Sequence, residues 1–271
     1  DNKLVNPLLL LNLPATSPIL GHENNHNGGK VVIGPDNNVY LVVGDVGGRM
    51  GNIQNIIRGS SPDGTSGILR VTQDGKSVHN GPFGSSVPNI LYYAYGIRNS
   101  FGFDFDPVTG NLWDSENGGI DKDEINYVYP GFNSGWRKAM GMALSRFDPN
   151  EDLFYFDGKG KYSDPEFVWK ETVAPTALKF LNSSKLGSQY ENTIFVGDVK
   201  TGNLYNFRLD SAREQLLLDP PLDDKVADTP QEIQDIVFGR GFGVITDIQV
   251  GSDGYLYILG IDGTIYKIVS A

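Results

Sequence analysis

Side chains able to bind charge or move a proton are concentrated in one stretch of the chain. Tyr95-Gly96-Ile97-Arg98-Asn99-Ser100-Phe101-Gly102-Phe103-Asp104-Phe105-Asp106 is followed by Ser115-Glu116-Asn117-Gly118-Gly119 and then by Asp123-Glu124-Ile125-Asn126. An arginine, an amide and an acidic, glycine-bearing loop therefore fall at one end of short apolar strands, where a β scaffold presents a site on its loops. Arg98 and Asn99 should project from a strand end, and a planar guanidinium with five donors suits carbonyl and carboxylate oxygens. The plainer reading is a buried arginine that caps a sheet.

His22-Glu23-Asn24-Asn25-His26 has the His-Glu-x-x-His spacing that binds zinc when an α-helix turns both imidazoles to one face. Gly21 precedes it and Asn27, Gly28 and Gly29 follow, so a helix is implausible and zinc hydrolysis is disfavoured. His79 lies in a separate Gly/Asn/Pro-rich loop and is unsupported as a third ligand. Read instead as His26-Asn27-Gly28-Gly29 ahead of a strand over residues 30–33, the segment puts His26 at a strand lip. There an imidazole, which titrates near 6.5 in water, can take a proton from a hydroxyl at neutral pH. A turn histidine that only bonds backbone is the alternative. Lys200 sits in the turn Val199-Lys200-Thr201-Gly202 and by itself reads as solvent-exposed.

The elements that must position these residues recur as a unit of turn residues, a short Val/Ile/Tyr/Leu strand, a Gly/Asp corner and another strand. Its copies begin at Gly34-Pro35-Asp36, Phe105-Asp106-Pro107, Glu191-Asn192-Thr193 and Gly251-Ser252-Asp253. Their spacing of about 60 to 80 residues exceeds the roughly 40 to 50 of compact propeller repeats, and long loops account for the difference. Second hairpins follow at Gly67-Ile68-Leu69, Gly202-Asn203-Leu204 and Gly263-Thr264-Ile265. Residues 211–218 are the best short helix candidate. A four-strand unit repeated in this way favours a propeller over a β-sandwich.

Composition agrees with one all-β domain. The chain has 271 residues, 39% hydrophobic and 11% aromatic, enough for a real core, and its 34 glycines and 15 prolines suit many tight turns. A net charge of −11 without a basic cluster disfavours nucleic acid and anionic lipid as partners. No run approaches the roughly 20 apolar residues of a membrane span. Zero cysteines exclude disulfides and thiol chemistry but leave the compartment open. The start lacks a signal-peptide layout and an initiator methionine, which is compatible with a chain that begins after processing.

Taken together, the run from His26 to Pro35, the Arg98-Asn99 segment, Ser115 to Gly119 and the spacing from Asp123 to Trp136 resemble the soluble quinoprotein sugar dehydrogenases. These form the glucose/sorbosone dehydrogenase family, whose cofactor is pyrroloquinoline quinone (PQQ). The resemblance implies a six-bladed β-propeller of which this chain supplies roughly the last four blades. The whole of residues 1–271 is then one propeller domain, with residues 3–13 as the outer strand of the second blade. On that resemblance the first blade and most of the second are expected to be missing from this chain. A propeller open at one side exposes apolar faces and unpaired edges, so the missing part is expected as another chain, a removed segment or a partner.

For the site, the resemblance implies His26 as general base, Arg98 over the quinone, Asn99 on the cofactor and Lys200 on a cofactor carboxylate. The carbonyls of Gly118 and Gly119 would hold the cofactor's calcium, and Glu124 with the Ser134 carbonyl a second, structural calcium, both in keeping with calcium's preference for oxygen. There are two departures. The family has proline where Gly119 stands, and its Arg-x-Arg-Asp run is Val244-Ile245-Thr246-Asp247 here, so Val244 and Thr246 replace both carboxylate-binding arginines. Each such contact is worth roughly 1.5 to 3 kcal/mol; Arg240 is close enough in sequence to stand in. The implied activity is oxidation of an aldose at its anomeric carbon with hydride transfer to PQQ, in the periplasm or outside the cell. The alternative is a cofactor-less propeller of the same family that serves as a binding or structural module.

Overall fold

Nearly every regular segment is a β-strand in the computed structural model of the chain, which describes residues 6–17, 24–144 and 146–270. The strands β1 (Val31–Ile33), β2 (Val39–Val43), β3 (Gly67–Val71) and β4 (Tyr92–Tyr95) form an antiparallel meander. A second begins with β5 (Ser100–Phe105), β6 (Leu112–Glu116) and β7 (Asp123–Val128). The chain then crosses back: β8 (Phe132–Asn133) pairs in parallel with β4, and β9 (Lys161–Tyr162) extends that first sheet. Next, β10 (Phe167–Trp169) returns to β7. The third sheet is β11 (Pro175–Phe180), β12 (Ile194–Asp198), β13 (Leu204–Leu209) and β14 (Leu216–Leu217). From there β15 (Val226–Ala227) reaches over to β10 of the second sheet, and β16 (Val237–Gly239) returns to β13. The last sheet, β17 (Ile245–Val250), β18 (Leu256–Gly260) and β19 (Ile265–Ile268), is contiguous in sequence.

The four repeated units are therefore four sheets, and the strands that carry them, β2, β6, β12 and β18, are each second in their sheet. Successive sheets pack face to face, because the strands are apolar on both faces. Tyr40, Val42 and Ile68 meet Phe103 and Leu112; Trp113, Ile125 and Trp169 meet Leu178, Val196 and Tyr205; Ala177, Phe195 and Leu204 meet Ile245, Ile248 and Ile258. Stacking of this kind is propeller-like. Outward faces remain on the terminal sheets, where Val31, Ile33, Ile261 and Ile265 are exposed.

Two local expectations are corrected. Residues 211–218 are not helical: a turn leads into β14, because Leu216 and Leu217 find ladder partners on Leu209 and Arg208. Residues 6–13 contain no strand, and residues 3–5 lie outside the described residues. Leu11 and Leu13 instead pack by side chain against the group that holds Leu69 and Val71, and Pro7 and Pro14 at either end have no amide to give to a ladder.

The second and third sheets are also tied by charge. Asp106 is buried, and Arg213 grips it twice, Nε to Oδ2 at 2.6 Å and Nη2 to Oδ1 at 2.8 Å. Burial pushes the Asp106 carboxyl up, but Arg213, the Val108 amide and the Thr109 hydroxyl together hold it below its ordinary value of 3.8. Arg213→Met leaves that carboxylate unpaired and should cost about 3 kcal/mol in urea unfolding at pH 7. A depressed carboxyl stabilises above its unfolded value and loses that contribution as pH falls through the folded one. The deficit should therefore shrink below about pH 4; an equal deficit at pH 3 and pH 7 would show that the pair does not act through charge.

Candidate functional site

The chain leaves β2 through Gly44, where three segments crowd. The Gly44 amide donates to the His26 carbonyl at 3.0 Å, and the Asp45 amide donates to the Arg98 carbonyl at 2.9 Å. A Cβ on Gly44 would lie 2.4 Å from that Arg98 oxygen and 2.9 Å from the His26 Cβ, so only glycine lets the two residues stand this close. One residue on, the buried Asp45 carboxylate is shared: Oδ1 lies 2.6 Å from His26 Nδ1, and Oδ2 accepts from Trp136 Nε1 at 2.9 Å. With Nδ1 committed to a carboxylate, Nε2 of the neutral ring is the nitrogen left to accept a proton.

Arg98 follows β4 and leads into β5, at the strand end where it was expected. Its Nη1 donates to the carbonyls of Asn117 at 3.0 Å and Gly118 at 2.6 Å, and its guanidinium lies 5.4 Å from the Trp136 ring centroid. The Gly118 oxygen expected to face calcium thus faces a cation here, that of Arg98. Gly118 is a steric necessity, since a Cβ would lie 2.0 Å from the Asp121 carbonyl, whereas nothing stands within 4 Å of a Cβ on Gly119. Asp123 fixes this corner by accepting from the Gly118 amide at 2.8 Å and from the Val173 and Ala174 amides at 2.6 and 2.7 Å. The result is an open cleft of about 360 Å³ bounded by His26, Asp45, Arg98, Gly119, Trp136 and Arg137.

Not every expected residue reaches this cleft. Asn99 is buried and is not part of the cleft lining, and its Oδ1 has no hydrogen-bond partner. Lys200 is exposed outside the cleft lining, with Nζ donating to the Thr172 hydroxyl, although its charge is felt at the Asp123 carboxyl. Val244 and Thr246 offer no cation, Thr246 Oγ1 being spent on the Leu259 carbonyl at 3.0 Å. Nor does Arg240 replace the family arginines in the cleft, for it is exposed and donates to Gln234. His22 and Glu23 lie outside the described residues.

Glu124 and Ser134 are placed differently from a solvated loop, because Asp123 to Asn126 belong to β7 and are buried. Glu124 stands opposite Glu116 in the β6–β7 ladder. Glu116 accepts from the Arg98 amide at 2.5 Å and from Ser134 Oγ at 2.6 Å, and Glu124 accepts from the Gly141 amide. Burial pushes the Glu124 carboxyl up to about 8 and Asp114 up to about 7; Glu116 is also raised, by burial and then by the Glu124 and Asp114 charges. The Asp114 oxygens make no well-formed hydrogen bond, with the Ser100 and Asn126 side chains the polar groups that temper the effect of burial on them. Among the described residues no three His, Cys, Asp or Glu side chains are gathered so as to hold a metal ion, so an ion here would need main-chain oxygens to complete it.

Asp45, Trp136, Glu116 and Asp123 were not singled out as site residues from the sequence. The signal for Asp45 was the Gly44-Asp45 corner after an apolar strand, and for Glu116 a carboxylate inside a strand that has no solvent face.

The sequence profile described as glucose/sorbosone dehydrogenase matches residues 15–267. The chain is 29% identical over 242 residues to aldose sugar dehydrogenase YliI of Escherichia coli, covering 87% of this chain and 57% of that protein. It is 25% identical over 252 residues to quinoprotein glucose dehydrogenase B of Acinetobacter calcoaceticus, covering 70% and 52%. It thus spans about half the length of the curated relatives it matches. Among solved structures, the PQQ-bound aldose sugar dehydrogenase of Streptomyces coelicolor superposes with a TM-score of 0.61 at 23% identity, over 92% of this chain and 58% of that one. This likeness extends the shared fold to nearly the whole chain. The profile match from residue 15 to residue 267 takes in the cleft and all four sheets: the chain belongs to the glucose/sorbosone dehydrogenase family.

Proposed function

We propose that this chain carries the substrate-activating part of a sugar dehydrogenase that oxidises an aldose at its anomeric carbon with PQQ as hydride acceptor. The observation that carries the reading is the His26–Asp45 pair at 2.6 Å on the lip of a cleft whose other wall is Arg98. His26 Nε2 takes the proton of the anomeric hydroxyl. Asp45 holds the ring in that tautomer and balances the positive charge it gains. Arg98 offers its guanidinium to oxygens in the cleft, and Trp136 supplies an apolar wall and steadies Asp45.

The residues fit such a group at its quinone end. Asn99 Oδ1, one residue after Arg98, is an orphaned buried acceptor, and the Gly118 carbonyl already accepts from a cation, the Arg98 guanidinium. His26, Arg98, Asn99, Gly118 and Gly119 would hold it, with Lys200 alone left for its carboxylates. When bound, PQQ supplies the hydride acceptor and its calcium polarises the quinone. Glu124 with the Ser134 carbonyl is the proposed second calcium site, and the buried Asp114 carboxyl, whose charge is felt at Glu124, favours a cation there. We further read the chain as part of a six-bladed propeller, completed over the exposed faces of the terminal sheets by a further segment or a second chain, and working in the periplasm or outside the cell. No helix among the described residues is long and apolar enough to cross a membrane.

Dye reduction with glucose, measured after reconstitution with PQQ and calcium, tests the base. His26→Ala should lower kcat by roughly 10²- to 10⁴-fold and Asp45→Asn by less, with KM little changed in both. Full activity in His26→Ala would remove His26 from the mechanism. Calcium is tested separately, by melting. At a hundredfold excess over its Kd the ion should stabilise by about 2.7 kcal/mol, raising Tm by roughly 5 to 10 °C, and Glu124→Gln should cancel most of that shift. A wild-type melting curve unmoved by chelator would leave Glu124 only its bond to the Gly141 amide.

A further inference from the structure

Beyond Trp136 the cleft wall continues into a second concavity of about 430 Å³, and its charge is unlike that of the rest of the molecule. Four cations line it, Lys122, Arg137, Lys138 and Arg146, in a chain whose net charge is −11. Among the described residues ten lysines and arginines have a carboxylate within 4.0 Å, and these four belong to those that do not; of the four, Arg137 donates to the Gly48 carbonyl at 3.3 Å. The one carboxylate in the lining, Asp152, accepts from the Asp148 amide at 3.0 Å. Four like charges around one hollow repel each other, and an anion bound among them relieves that repulsion.

The remaining walls are apolar. Met140, Met142 and Phe147 face the same hollow, and thioethers with an aromatic edge adapt to flat apolar bodies. The floor is built rather than incidental. The Gly141 amide is held by the buried Glu124, the Ala143 amide donates to Asp164 at 2.9 Å, and the Lys122 stem is packed so close to Gly141 that a Cβ there would meet its Cδ at 2.7 Å. The Lys122 stem thus runs along the wall of the hollow. Arg137 belongs to both hollows and lies 5.3 Å from the Trp136 ring, whose indole nitrogen bonds Asp45.

We propose that this hollow binds a small organic anion with a flat apolar body, a carboxylate or sulfonate on an aromatic ring system, one indole away from the His26–Asp45 pair. The anion lies among Lys122, Arg137, Lys138 and Arg146, and the ring body on Met140, Met142 and Phe147. The site does not depend on the quinone reading, because none of its residues except Arg137 borders the His26 cleft.

Fluorescence titration with 8-anilinonaphthalene-1-sulfonate tests it. Binding should saturate, weaken as salt rises from about 50 to about 500 mM, and weaken about tenfold or more in Lys138→Gln/Arg146→Gln. Arg208→Gln, at a separate groove, should bind as the wild type does. Neutral N-phenyl-1-naphthylamine should bind at least about tenfold more weakly than the sulfonate. 1-Naphthoate should displace the probe, while inorganic phosphate at equal concentration should not. Wild-type affinity in the double variant, equal binding of the neutral analogue, or no saturable binding at all would overturn the site; displacement by phosphate would overturn the apolar half of the assignment. Circular dichroism melting of the double variant should match the wild type, which separates loss of the site from loss of the fold.

Discussion

A single buried carboxylate organises the cleft. Asp45 has almost no contact with water, and each polar atom it brings inside is used: one oxygen on His26, the other on Trp136, and its amide on the Arg98 carbonyl. A buried charge is tolerated only when it is paired and fully hydrogen-bonded, so the three segments must arrive together or not at all. The base, the aromatic wall and the arginine are thus fixed relative to one another by the requirement to satisfy one side chain, not by three independent local preferences.

Beneath that cleft the β6–β7 ladder does something unusual for a sheet interior. It sets Glu116 opposite Glu124, with Asp114 two residues further along the same strand. Like charges directly across a ladder repel, and burial pushes these carboxyls up so that they favour the protonated form. The chain answers with donors from elsewhere: the Arg98 amide, Ser134 Oγ and the Gly141 amide. Each donor lies on a loop that shapes one of the two hollows, so the acids anchor the loops as much as the loops satisfy the acids. The same ladder therefore sets both the position of Arg98 and the floor under Met140 and Met142.

Much of this is legible in the sequence. Strands, corners and the four-unit repeat follow from apolar runs broken by Asn, Asp and Gly, which act over a few residues. His26, Arg98 and Gly118 were readable for a similar reason, since each sits where a strand run ends. What escaped depends on distance along the chain. Trp136 lies 91 residues from the carboxylate it bonds, and no local pattern marks that pairing. An acidic, glycine-bearing run reads as loop, yet Asp123 and Glu124 lie buried in β7, where packing between sheets overrides composition. The role expected of Lys200 comes by resemblance and that of Arg240 from its closeness in sequence, and both side chains bond neighbours outside the cleft.

The path of the backbone between sheets has a consequence for how this architecture can be rearranged. The first and second sheets exchange strands, since β8 and β9 return to the first after β5 to β7 have built the second, and β15 leaves the third to complete the second. No single cut between residues 31 and 239 separates one sheet from the next without leaving a strand behind. The last sheet alone, Ile245–Ile268, is drawn from one uninterrupted run. Recombination between homologous genes therefore has one clean junction in this chain, ahead of Ile245. Modules upstream of it can be inherited only as a block.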